Sequence, residues 1–60
     1  MNTKIFYYIN TKLIGCNMDE GFLSMSECRT LYKRFRKIEP RVNTAKVEFE
    51  GMSTKFILNT

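Results

Sequence analysis

The sequence predicts a small α+β fold over residues 1–60, ordered β-β-α-β-β, with one amphipathic helix packed on one face of a four-stranded antiparallel sheet. Three observations carry this. The stretch from Lys4 to Cys16 is rich in β-branched and aromatic residues, the side chains that suit a pleated surface. Between Met25 and Ile38 apolar residues recur at three- and four-residue spacing. From Ala45 onward apolar and charged residues alternate, as in a half-buried strand.

The first strand is Lys4-Ile5-Phe6-Tyr7-Tyr8-Ile9 and the second is Lys12-Leu13-Ile14-Gly15-Cys16, joined by a two-residue turn at Asn10-Thr11. This register puts Ile5, Tyr7, Ile9, Ile14 and Cys16 on one face and Phe6, Tyr8 and Leu13 on the other. Both faces are apolar, so one of them must cover something besides the main core. Asn17 to Gly21 reads as a polar loop carrying Asp19-Glu20. Ser24-Met25-Ser26-Glu27 is a capping box, in which a hydroxyl and a carboxylate satisfy free N–H groups at a helix start. The helix spans 25–38, with Met25, Cys28, Leu31, Tyr32, Phe35 and Ile38 as its apolar stripe. Pro40 ends it, because proline disfavours helical geometry in the residue before it. Ala45, Val47 and Phe49 then face inward, Gly51-Met52 turns the chain, and Thr54 to Leu58 forms the last strand. A four-residue loop pairs Val47 with Phe56, Ala45 with Leu58, and Glu48 with Lys55 on the outer face.

Size and composition exclude much. A chain of 60 residues buries only about 60% of the surface its unfolded form exposes, too little for a Rossmann unit with its own substrate site. There is no histidine, the commonest general acid/base and metal ligand. Cys16 and Cys28 match no zinc-ligand spacing; they read as buried free thiols of a reducing cytoplasm, with a single disulfide between them as the alternative. No apolar run approaches the roughly 18 residues of a membrane span, and no cleavable leader is evident. Asn, Lys, Ile, Phe and Tyr fill 24 of the 60 positions; their codons are AT-rich, which suits a bacteriophage, a mobile element or a low-GC bacterium.

Two groups of residues are candidates for binding. Ten Lys/Arg against six Asp/Glu give a net charge of +4, and the helix concentrates it. Arg29, Lys33, Arg36 and Lys37 lie opposite the apolar stripe, Arg34 widens the patch, and Arg41 follows the helix end. Such a face can sit on phosphates or on an acidic protein surface; the bland alternative is a solvated helix end complementing its dipole. Phe6, Tyr8 and Leu13 form the second group, an apolar interface on the sheet face the helix does not cover. No Gly-rich phosphate loop is present. The carboxylate pairs Asp19/Glu20 and Glu48/Glu50, and the hydroxyls of Ser24 and Ser26, have no plausible base beside them, so no catalytic set, metal site or cofactor is expected. In topology alone the order resembles several small α+β domains, among them sheet-type DNA readers and small phage-encoded inhibitors. The basic charge argues against mimicry of DNA. The expected function is a non-enzymatic protein-binding module or inhibitor that occludes an acidic partner surface. The alternative is a nucleic-acid-binding domain with its basic helix on phosphates. A homodimer through the back of the sheet or a sheet edge is compatible with either.

Overall fold

The computed structural model describes residues 2–51 and 55–59. Met52 in the expected turn and Thr54 at the start of the expected last strand lie outside them. The elements are β1 (Asn2–Ile9), β2 (Lys12–Glu20), α1 (Met25–Ile38), β3 (Thr44–Phe49) and β4 (Lys55–Asn59). They form one antiparallel sheet in the spatial order β2-β1-β3-β4, with the helix on one side. The helical crossover returns the chain beside β1, so β1 and β3 are the central strands.

Alternation decides which side chains the helix covers. Thr3, Ile5 and Tyr7 of β1, Ala45, Val47 and Phe49 of β3, and Leu58 of β4 are buried together with Cys28 and Tyr32 of α1 and Val42 of the α1–β3 connection. Fully burying a side chain such as Ile5 or Val47 stabilises by about 1.5–3 kcal/mol. The centre is an aromatic stack: Tyr7 lies parallel to Phe35 at 4.0 Å between centroids and to Tyr32 at 6.4 Å. Asn17 Nδ2 donates to Tyr7 Oη at 2.7 Å, which meets the polar end of this ring. Buried Thr3 links two segments, its hydroxyl donating to Gly21 O at 2.7 Å and accepting from Leu23 N at 3.1 Å.

The helix bounds are those expected. Ser24 caps the N-terminus, its Oγ accepting from Glu27 N at 3.2 Å and donating to the Glu27 carboxylate at 3.3 Å. At the other end Glu39 N donates to Phe35 O at 2.9 Å. Ile38 departs from expectation: it is 83% exposed, because it sits at the margin of the stripe in the last turn. The β3–β4 register also follows the expectation, Val47 opposite Phe56 and Ala45 opposite Leu58. Lys55 Nζ lies 3.1 Å from Glu48 Oε1.

The first hairpin differs in two ways. The turn at Asn10-Thr11 is present, with Asn10 at φ 56°, a left-handed conformation that asparagine tolerates. The Asn43 side chain braces it, accepting from Asn10 N at 2.9 Å and donating to Asn10 Oδ1 at 3.0 Å. Beyond the turn, however, Tyr8 pairs with Leu13 and Tyr7 with Gly15, so Ile14 is the extra residue of a β-bulge. Every later residue of β2 therefore changes face. Cys16 stands opposite Phe6 on the uncovered side rather than sharing a face with Ile5 and Tyr7. The bulge has a packing reason. A Cβ at Gly15 would lie 3.0 Å from Phe35 Cζ, closer than ordinary van der Waals contact, so glycine opposite Tyr7 leaves the room in which Phe35 stacks on that ring. The second difference is that Asn17–Glu20 is strand, not loop. Asp19 and Glu20 pair with Thr3 and Asn2, as an edge strand exposed to water can do with polar side chains.

Candidate functional site

The face of the sheet away from α1 presents three adjacent cross-strand rows. Leu13, Tyr8, Thr44 and Asn59 form one, and Cys16, Phe6, Lys46 and Ile57 the next. Met18, Lys4, Glu48 and Lys55 complete the set. Leu13, Met18 and Ile57 are 51%, 65% and 64% exposed, while Phe6 and Tyr8, on the central strand, are half-buried between them. No described segment lies over these rows. The expected apolar group of Phe6, Tyr8 and Leu13 is thus brought together, and Cys16, Met18 and Ile57 extend it. Sequence reading missed Met18 because Asn17–Glu20 looked like a loop, and Cys16 because the bulge was not foreseen. The alternation of β4 already offered Ile57. Lys4 and Lys46 stand inside the patch, half-buried, and neither makes a salt bridge among the described residues. Their stems can cover apolar surface while the ammonium groups reach solvent.

The basic residues of α1 occupy the other side of the molecule, so they do not share one surface with Phe6, Tyr8 and Leu13. Nor do they act as one group. Arg29, Lys33 and Lys37 are exposed and unpaired among the described residues. Arg34 falls on the opposite flank, in a hollow that Asp19 and Glu27 also line. Arg36 is half-buried, its Nε donating to Val42 O at 2.9 Å and its guanidinium 6.0 Å from the Tyr32 ring centroid. Arg41 is engaged by Glu39 through two bonds of 2.9 and 3.0 Å. Bonding to Arg41 holds the Glu39 carboxyl below its ordinary range, and the same bond raises Arg41.

The other titratable groups that are perturbed belong to the core. Burial pushes the Tyr7, Tyr32 and Cys28 pKa values up; the Asn17 bond opposes this at Tyr7 and Arg36 opposes it at Tyr32. Cys28 is buried and free, whereas Cys16 is free and exposed, contrary to the expectation of two buried thiols. Asp19 and Glu20 point to opposite faces of β2 as successive strand residues. Glu48 is tied to Lys55, Ser24 serves the helix cap, and Ser26 O accepts from Thr30 Oγ1 at 3.0 Å. Among the described residues no helix is long and apolar enough to cross a membrane.

Comparison of the chain with protein-family models, with curated proteins and with solved structures finds no match, so the reading of function rests on its own residues.

Proposed function

We propose that the chain is a small non-enzymatic protein-binding module that docks the open sheet face on a partner protein and occludes that partner's surface. The observation that carries the reading is the run of Leu13, Tyr8, Phe6, Met18 and Ile57 across the uncovered side of the sheet, next to a face whose equally apolar residues are buried. Aromatic anchors within a polar rim are the usual centre of a protein interface. The partner is expected to be acidic where it meets Lys46, which lies without a salt bridge between Phe6 and Ile57; Lys4 is flanked by Glu48 and Glu50. Lys46 also disfavours a symmetric face-to-face homodimer. Lys46 lies on a central strand in the middle row, where a two-fold axis would bring it towards its own copy.

The test is to immobilise the native chain, Tyr8→Asp/Leu13→Asp and Lys33→Glu/Lys37→Glu, each shown to be folded by circular dichroism. Partners are then captured at physiological salt. A partner kept by the native and helix variants and lost by the sheet variant supports the reading, as does inhibition of that partner's activity by the native chain alone. Loss with the helix variant alone, or equal retention by all three, overturns it. A concentration-dependent dimer in sedimentation, abolished by Tyr8→Asp/Leu13→Asp, would replace the foreign partner with a second copy.

A further inference from the structure

We propose that the cleft between α1 and β4 is an oxyanion site that holds a phosphate group, apart from the apolar patch of the open sheet face and sharing with that face's rows only Asn59 at the end of β4. The cleft measures about 280 Å³. Arg29, Lys33 and Arg36 line it from the helix and Leu58 and Asn59 from β4, with Tyr32 between them in sequence and also lining it. Three cations converge there and no carboxylate is among the described residues that line it. They recur at three- and four-residue spacing and so share one helix face.

Arg36 is prepared for this role. Its Nε bond to Val42 O and its position over the Tyr32 ring hold the guanidinium in place. Its terminal nitrogens have no protein partner among the described residues. Much of the ordering that binding requires is therefore already present in the fold. A planar guanidinium matches phosphate oxygens two at a time, and Arg29 and Lys33 add charge beside it. Tyr32 contributes its ring, over which the Arg36 guanidinium lies; its hydroxyl is buried away from solvent and has no partner among the described residues. Three cations favour a phosphate over a carboxylate, since a phosphate offers more oxygens and, as a monoester, about two negative charges near neutral pH. A free phosphate or phosphomonoester and the backbone of a single-stranded nucleic acid both present this chemistry.

The experiment follows backbone amide resonances at constant ionic strength during titration with sodium phosphate, with sodium chloride as control, and with a ten-residue oligothymidylate. The expected result is a saturable shift confined to residues 29–36 and 58–59, absent with chloride. Arg29→Gln/Lys33→Gln should weaken it at least tenfold, and Arg36→Lys, which keeps the charge but removes the planar fork, severalfold. Tyr8→Asp/Leu13→Asp should leave it unchanged, which separates this site from the sheet-face reading. Tighter binding of the oligonucleotide, with a log–log salt slope of about −0.7 for the one phosphate held, assigns the phosphate to a strand; equal affinity for inorganic phosphate assigns it to a free ion or monoester. No saturable shift with either probe, or one that survives Arg29→Gln/Lys33→Gln, overturns the proposal.

Discussion

The two faces of β1 carry side chains of similar apolarity and very different circumstances. Ile5 and Tyr7 are fully buried under α1, while Phe6 and Tyr8, their immediate neighbours in sequence, are half-buried on a face with no covering layer. On the covered side Tyr7 stacks on Phe35 and its hydroxyl is bonded by Asn17, while the buried Tyr32 hydroxyl has no partner among the described residues. On the open side Lys46 stands without a salt bridge between Phe6 and Ile57, and Lys4 without one between Met18 and Glu48, the latter held by Lys55. The contrast teaches that apolar alternation states how much surface a strand must bury but not against what. A single 14-residue helix can cover one face of four strands and no more.

The strongest way to break the comparison is to truncate one ring on each side. Tyr7→Ala removes the centre of the stack and should cost about 3–5 kcal/mol, enough to abolish cooperative unfolding in a chain of this size. Phe6→Ala should cost about 1 kcal/mol or less, since a half-exposed site leaves no closed cavity. Urea titration followed by circular dichroism measures both, and equal losses would show that the open face is part of the folding core.

Gly15→Ala sharpens the account of the bulge. The added methyl would meet the Phe35 ring at 3.0 Å, so Phe35 must move from Tyr7, at a cost of about 1–3 kcal/mol. Combining it with Phe35→Leu should cost less than the sum of the two single changes. Full additivity in a double-mutant cycle would separate Gly15 from the stack.

Alkaline pH gives the smallest effect and reads the covered side alone. The folded state holds the protons of Cys28, Tyr7 and Tyr32 more tightly than the unfolded chain does. Stability is therefore full below the ordinary values of 9.0 for the thiol and 10.0 for the phenols, and falls as pH rises past them. Tyr7→Phe should flatten that decline, as measured by the denaturation midpoint between pH 8 and pH 11. An unchanged slope would place the alkaline loss elsewhere.

Much of this molecule is legible without coordinates. Ser24 and Glu27 mark the helix start, Pro40 its end, and alternation from Ala45 to Leu58 sets the second hairpin to the residue, because there polar and apolar positions differ sharply and only one register satisfies both. The basic residues are countable, but their fates are not. Arg36 is drawn to Val42 O and Arg41 to Glu39, whereas Arg29 and Lys33 stay free beside β4, and only the path of the connection after α1 separates these outcomes.

The sequence by itself determined the element order, the helix bounds and the pairing of β3 with β4, all consequences of short-range periodicity and local hydrogen bonding. Tertiary structure alone decided the spatial order β2-β1-β3-β4, the bulge at Ile14, the exposure of Cys16 and the separation of the aromatic and cationic surfaces onto opposite sides. These depend on how one helix meets a sheet apolar on both faces. The fit of Phe35 over Gly15 and Tyr7 is part of that meeting, a contact between residues distant in the chain that no local pattern encodes.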